Sequence, residues 1–128
     1  MKVGIPREVK NHEYRVAITP SGVHEFVRNG HEVYVETGAG LGSSITDEEF
    51  ARAGANILPD ADAVWGTGEL ILKVKEPVAE EYHRMREGQT LFTYLHLAAD
   101  RALTEELVKR KVTGIAYETV ELDRKSVV

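Results

Sequence analysis

The chain has no cysteine among its 128 residues, and none of its apolar runs is long. Without cysteine there can be no disulfide framework, no thiolate nucleophile and no thiolate zinc site, and this composition suits a reducing compartment. No apolar stretch approaches the roughly 20 residues that span a bilayer. The charged N-terminus, Met1–Glu8, is unlike a secretory signal. We therefore expect a soluble cytoplasmic protein with no membrane partner.

The net charge and its distribution also limit the classes of binding partner. The net charge is −5 with both signs interspersed, which argues against nucleic acid as the main partner. No two histidines share a helical turn, so we predict no metal site. Hydrophobic residues make up 42% and charged residues 29%, which excludes a disordered or fibrous chain and leaves one globular domain.

Strand-like and helix-like segments alternate along the whole chain. This pattern predicts an α/β fold, a three-layer Rossmann-like or flavodoxin-like arrangement of a mostly parallel sheet with helices on both faces. Thr19 and Pro20 predict the start of the first helix and Gly30 its end. Thr46 and Glu49 resemble a capping box at the start of a short helix. Further helices are predicted after Pro77, ending at Gly88 with Tyr82 and Met85 turned inward, and from about Asp100.

Several predicted strands end in side chains that can do chemistry. The carboxyl ends of parallel strands line one edge of the sheet, where open α/β folds bind ligands. Several polar endings together therefore predict a site. They are Arg7 and Glu8 after Val3–Ile5, Lys73 and Lys75 after Leu70–Leu72, His96 after Leu91–Leu95, and Tyr117 and Glu118 after Gly114–Ala116.

In the strand predicted from Leu70 to Lys75 side chains alternate, so Lys73 and Lys75 lie on the same face as Ile71. A buried, unpaired ammonium group costs several kcal/mol. These lysines must therefore lie at the strand end, reach solvent or meet an anion. The competing interpretation is a merely solvated strand end.

His96 and Arg15 are the other candidates. Cations near His96 would lower the proton affinity of its imidazole and leave it usable as an acid or base near neutrality, although a histidine at a strand end can also be purely structural. Arg15 lies in the charged connection after the first strand and can bind a carboxylate through two parallel hydrogen bonds, unless it is simply a surface arginine.

The glycine-rich stretch Gly38–Gly42 resembles a nucleotide loop, but Ser43 occupies the place of the third glycine of a dinucleotide fingerprint. We predict a tight turn there and no cofactor-binding residue in this chain. An arginine, one or two lysines and a histidine together suit a 2-oxo acid, with the carboxylate on arginine, the ketone on lysine and the proton on histidine. That chemistry needs a redox or amine partner that the chain does not supply.

The sequence resembles the N-terminal, substrate domain of alanine dehydrogenase, in the superfamily that includes the α subunit of proton-translocating nicotinamide nucleotide transhydrogenase. The resemblance covers Met1 to about Val120, and it depends on these stretches: Val3–Glu8, Asn11–Pro20, Gly38–Gly40, Leu72–Pro77, Phe92–Ala98 and Ala116–Val120.

The resemblance implies reversible, NAD-dependent oxidative deamination of L-alanine to pyruvate and ammonia. It implies that Arg15 and Lys75 bind the carboxylate and the oxo or amino end of the substrate. It further implies that His96 is the acid/base and that Tyr94 lines the pocket. A cytoplasmic homo-oligomer, commonly a hexamer, follows from the same resemblance.

The family continues into a nucleotide-binding domain with a true glycine fingerprint, which residues 1–128 do not contain, and Asp123–Val128 depart from its apolar course. We therefore expect a truncated substrate domain that alone neither binds NAD in the usual way nor turns over. Three alternatives stay open: a domain like that of the transhydrogenase α subunit, a relative of the saccharopine dehydrogenases, or a non-catalytic binding or assembly module.

Overall fold

The computed structural model describes residues 1–95 and 100–117. Six strands form one sheet in the order β3-β2-β1-β4-β5-β6, and every neighbouring pair is parallel. This is the doubly wound order of the Rossmann fold rather than that of flavodoxin. The strands are β1 (Lys2–Ile5), β2 (Glu32–Glu36), β3 (Asn56–Leu58), β4 (Leu70–Leu72), β5 (Thr90–Thr93) and β6 (Thr113–Ala116).

The helices begin where the sequence predicts caps. The Thr19 side chain accepts a hydrogen bond from the Gly22 amide, and Thr46 and Glu49 form a reciprocal capping box. Asp100 caps the last helix. The helices are α1 (Pro20–Arg28), α2 (Asp47–Ala53), α3 (Ala61–Thr67) and α4 (Arg101–Lys109), with 3₁₀ helices at Leu41–Ser43 and Ala79–Arg84.

Two apolar clusters cover the two faces of the sheet, which confirms the predicted three-layer α/β fold. One cluster joins β1 and β2 to α1 and α2, with Val23 and Phe50 fully buried. The other joins β4 and β5 to α3 and α4 and contains Trp65 and Leu103. Gly4 allows α3 to approach β1 closely, since a Cβ atom there would lie 3.1 Å from the backbone oxygen of Val64.

Three local features differ from the sequence expectations. Helix α3 was not predicted, although Asp60 caps it. The segment after Pro77 is a 3₁₀ helix that ends at Arg84 rather than a longer helix to Gly88, and its period of three residues still places Tyr82 and Met85 on one side. Strand β4 ends at Leu72 rather than near Lys75, because the Val74 and Lys75 amides donate to a carboxylate described below instead of to β1.

Candidate functional site

The carboxyl ends of β1 and β4 lie side by side at the point where the strand order reverses. From β1 the sheet continues through β2 on one side, and from β4 it continues through β5 on the other. The direct pairing of β1 with β4 extends only to Gly4 and Ile71. Beyond that register the two strands no longer pair, and this is the ligand-binding position of doubly wound sheets.

The charged connection between β1 and α1 runs across this edge, as the sequence predicts. Its first part is fixed by a hydrogen bond of 2.8 Å from the Arg7 amide to Glu36 at the end of β2. Its middle is fixed by an ion pair between Lys10 and the buried Glu76. The segment is therefore attached to both halves of the sheet.

Lys73 is paired with anionic side chains, which is one of the three environments that the sequence pattern allows for it. Its side chain is 1% exposed, and its Nζ lies 3.2 Å from Oε1 of Glu8 and 3.3 Å from Oε2 of Glu81. Both carboxylate side chains are almost fully buried. Burial raises the pKa of Glu81, while the charge of Lys73 acts in the opposite direction. Lys73 is thus an internal ion-pair partner rather than a ligand-binding group.

Glu8 joins the ends of β1 and β4. One carboxylate oxygen, Oε2, accepts the Val74 amide at 2.9 Å. The other, Oε1, accepts the Lys75 amide at 3.2 Å in addition to the Lys73 ammonium. On the side of β1, this carboxylate accepts the Val74 and Lys75 amides and fixes the backbone of Lys75. Toward β5 the pairing continues, since the Lys73 amide donates to the Phe92 carbonyl at 3.1 Å.

Lys75 itself follows β4 at this edge of the sheet and is partly exposed. Its ammonium is close enough to Glu13 for its charge to contribute to a lowered pKa of that carboxyl. The larger cause of the lowered pKa is the hydrogen bond from the Arg15 side chain. Lys75 and Arg15, predicted from separate segments, therefore share one carboxylate neighbour.

Arg15 binds Glu13 through two parallel hydrogen bonds. Its Nε donates to Oε2 and its Nη2 to Oε1, each at 2.9 Å. The Arg15 side chain is 62% exposed, whereas that of Glu13 is only 7% exposed. Arg15 also separates two clefts of about 270 and 340 Å³. The first is lined by Arg7, Glu8, Glu13, Tyr14, Arg15, Gly38, Ala39, Leu41 and Gly42, and the second by residues 15–19, Ser43, Ile45, Val74 and Tyr117.

Tyr94 follows β5 on the other side of β4. Its amide donates to the Val74 carbonyl at 3.4 Å, which keeps it beside the segment that carries Lys75. Its ring packs edge-on against Tyr117 with centroids 5.1 Å apart. Burial raises the pKa of Tyr117, and the charges of Glu8 and Tyr94 add to that shift. Tyr94 and Tyr117 thus form an aromatic surface beside the second cleft.

His96, the predicted acid/base, lies outside the described residues, as does Glu118. The structure therefore brings together three of the four predicted site residues: Arg15, Lys75 and Tyr94. Sequence reasoning gave no role to Glu13 or Glu81, and named Glu8 only as a strand ending. The available signal was charge: a lysine inside a buried strand pattern requires an acidic partner.

The glycine loop is a tight turn, as predicted, and does not suit a phosphate. Gly38 has φ +80°, and its amide donates at 2.9 Å to Asp47. A Cβ on Gly40 or Gly42 would come within 2.7 Å of the Ile45 carbonyl oxygen or 2.5 Å of the Tyr14 carbonyl oxygen. These glycines therefore serve close packing within the chain.

Within the described ranges, no group of three or more histidine or acidic side chains is arranged to hold a metal ion. None of the helices in those ranges has the length and apolar character that a bilayer crossing requires.

The all-parallel sheet and its strand order define a Rossmann-type α/β domain, with an arginine and a lysine near its switch point. The profile of the family described as "Alanine dehydrogenase/PNT, N-terminal domain" matches residues 4–128, and the chain belongs to this family.

Individual relatives agree with this assignment. Alanine dehydrogenase of Methanococcus maripaludis is 59% identical over 126 residues, which cover 98% of this chain and 34% of the relative. Alanine dehydrogenase of Mycolicibacterium smegmatis is 61% identical over 121 residues, covering 94% of this chain and 33% of the relative. The chain thus spans about one third of the length of these relatives.

Two solved structures have the same fold. An L-alanine dehydrogenase superposes with a TM-score of 0.94 at 49% identity, covering 98% of this chain and 35% of the other. A transhydrogenase from Sinorhizobium meliloti superposes with a TM-score of 0.89 at 30% identity, covering 98% of this chain and 37% of the other.

Proposed function

We propose that the chain is the substrate-binding part of an NAD-dependent L-alanine dehydrogenase, which interconverts L-alanine, NAD and water with pyruvate, ammonia and NADH. The observation that carries this proposal is that Arg15 binds Glu13 through two hydrogen bonds while the charge of Lys75 also acts on Glu13, at the switch-point edge of the sheet. An arginine and a lysine at one exposed edge suit a small acid with a second polar end. The alanine dehydrogenases among the relatives supply the identity of that acid.

The proposed roles follow from the chemistry of each group. Arg15 binds the substrate carboxylate through parallel N–H donors, and Lys75 polarises the oxo group or accompanies the amine. Tyr94 lines the pocket. We assign His96 the transfer of the proton, which requires an imidazole within hydrogen-bond reach of the reacting centre.

The cofactor does not fit the glycine loop of this chain, because its Gly38 amide is bonded to Asp47 and its other glycines are packed against backbone. We therefore propose that NAD binds to a separate domain, which supplies the redox chemistry. About two thirds of each relative's length lies outside the part that this chain matches, which leaves room for such a domain. We expect residues 1–128 alone to form no NADH from alanine. A cytoplasmic location and a homo-oligomeric state remain predictions of the resemblance.

Pyruvate binding to the 128-residue chain, measured by calorimetry, tests the proposed site. We expect Arg15→Ala to weaken binding by roughly tenfold or more, since a hydrogen bond to a charged group contributes about 1.5–3 kcal/mol. Arg28→Ala is the matched control, because Arg28 is an exposed arginine on α1 that only approaches Glu25, at 3.9 Å. Alanine-dependent NADH production by the chain alone would contradict the expected inactivity.

The second candidate is a domain that assists nucleotide binding in a transhydrogenase. The superposition on the Sinorhizobium meliloti transhydrogenase favours it. Such a domain would show no pyruvate binding that depends on Arg15. A chain that binds no pyruvate at millimolar concentration would instead suit that role or an assembly module.

A further inference from the structure

The pair formed by Glu13 and Arg15 uses only part of the guanidinium group. Arginine has five N–H donors. Glu13 accepts one from Nε and one from Nη2. Among the described residues nothing accepts a hydrogen bond from Nη1 or from the second proton of Nη2, so a second two-donor edge stays available. A guanidinium can thus hold one carboxylate along its Nε edge and receive another along its Nη edge.

Glu13 is itself held in place by the chain. Its amide donates to the Lys10 carbonyl at 3.1 Å, and His12 within that turn has φ +62°. The Lys10 side chain is in turn paired with the buried Glu76. Glu13 also accepts the Arg15 backbone amide at 3.0 Å. The carboxylate therefore has a fixed base from which to orient a mostly exposed arginine.

We propose that Glu13 is a positioning residue, which holds the Nε edge of Arg15 so that the Nη edge is presented to the carboxylate of the substrate. This inference rests on the proposed function, because it assumes that Arg15 binds that carboxylate. An arginine ordered before binding loses less conformational entropy when the ligand arrives. The charge of Lys75 near Glu13 offsets the repulsion between Glu13 and an incoming anion.

The sign of the effect of Glu13→Gln separates positioning from simple charge. Removing a negative charge beside the site would, by electrostatics alone, strengthen pyruvate binding. Glutamine cannot form the parallel pair, because its NH2 group takes the place of one carboxylate oxygen and would face an N–H donor of Arg15. If Glu13 orders Arg15, binding weakens by about 2- to 12-fold despite the removed charge, since ordering one long side chain costs about 0.5–1.5 kcal/mol.

The test measures pyruvate affinity by calorimetry and the Arg15 Nε–Hε signal by ¹⁵N NMR. The wild-type chain should show a distinct Arg15 signal protected from solvent exchange, and Glu13→Gln should lose it while weakening binding. Glu25→Gln is the matched control, since Glu25 is an exposed acid on α1 and its loss changes the net charge equally. Glu13→Asp keeps the carboxylate and should restore both readouts toward wild type.

Each other outcome overturns a defined statement. Tighter or unchanged pyruvate binding in Glu13→Gln, together with weakened binding in Arg15→Ala, overturns the positioning role alone and makes Glu13 a competitor or a bystander. Pyruvate binding that Arg15→Ala leaves unchanged overturns the proposed function instead. A protected Arg15 signal that persists in Glu13→Gln also overturns the positioning role, whatever the affinity.

Discussion

Replacing Lys73 by methionine tests the buried ion-pair network directly. The substitution keeps the length of the side chain but leaves Glu8 and Glu81 buried without their shared ammonium. Glu8 retains two backbone amide donors, those of Val74 and Lys75, and can stay ionised. Among the described residues, Glu81 retains only the Val78 amide. Glu81 is therefore the group that must take up a proton in the folded variant.

The size of the stability loss follows from the cost of keeping Glu81 protonated in the folded variant. Holding a glutamate protonated at pH 7, when it is ionised in the unfolded chain, costs about 1.4 kcal/mol for each pH unit above its ordinary pKa of about 4.3. Because burial already raises the pKa of Glu81 in the wild type, this cost is an upper limit for the loss in the Lys73→Met variant: up to about 3–4 kcal/mol at pH 7 and about 1 kcal/mol at pH 5. This agrees with the range of about 3–5 kcal/mol for breaking a buried pair. A domain of ordinary stability, about 5–15 kcal/mol, would still be folded at low pH.

The assay is urea denaturation of wild type, Lys73→Met, Glu81→Gln and the double variant from pH 5 to pH 8. Glu81→Gln should remain within about 1 kcal/mol of wild type, because it leaves the pair of Lys73 with Glu8. The pH dependence of stability in Glu81→Gln should also lack one contribution that is present in the wild type. Burial raises the folded pKa of Glu81, so wild-type stability falls as pH rises from the unfolded pKa through the folded one.

The double variant tests whether the unpaired Glu81 accounts for the stability loss. Without Glu81 the loss of Lys73 no longer leaves an unpaired carboxylate, so the double variant should recover most of the stability and show no added pH slope. A Lys73→Met variant whose loss is independent of pH would refute the reasoning. A double variant as unstable as the single one would show that packing of the lysine stem, rather than charge, sets the cost.

Two further predictions concern the loops and caps around the site. Gly42→Ala should cost about 1–3 kcal/mol and weaken pyruvate binding, because its Cβ would lie 2.5 Å from the Tyr14 carbonyl oxygen and must displace the segment that carries Arg15. The control is Gly66→Ala, in open space within α3, which should stabilise the chain by about 0.5–1 kcal/mol as judged by thermal melting. Thr46→Ala removes the cap of α2 and should lower the urea midpoint by the equivalent of about 1 kcal/mol without changing pyruvate affinity; a change in affinity would contradict the separation of this cap from the site.

The sheet and most helix starts could be predicted because local signals decide them. Short apolar runs bounded by turn residues indicate strands, and Thr19, Thr46 and Asp100 cap helices through contacts within three residues. Helix α3 was missed although it has the same kind of signal, Asp60 before an apolar pair. Its seven residues contain a glycine, and so short a helix depends on packing against the sheet more than on propensity.

The part of the site that escaped prediction consists of pairings between distant segments. The alternation in β4 shows that Lys73 is on a buried face, but it cannot show that Glu81, in the segment after Pro77, supplies the partner. Nor does any local pattern show that Glu13 binds the arginine two residues later, since the same spacing is common on solvated loops. Only the fold fixes which charges meet.

The charges at the switch point fall into two groups with different roles. The inner group, Lys73 with Glu8 and Glu81, is dry, and its formal charge is −1 before any proton is taken up. The outer group, Arg15 and Lys75 with Glu13, is wetter, and its formal charge is +1. The inner carboxylates cannot serve a ligand, because their acceptor atoms are occupied by the chain. The outer group lacks one negative charge, and a small monocarboxylate would supply it. We therefore expect pyruvate to bind better than its uncharged methyl ester, and equal affinities would contradict this division.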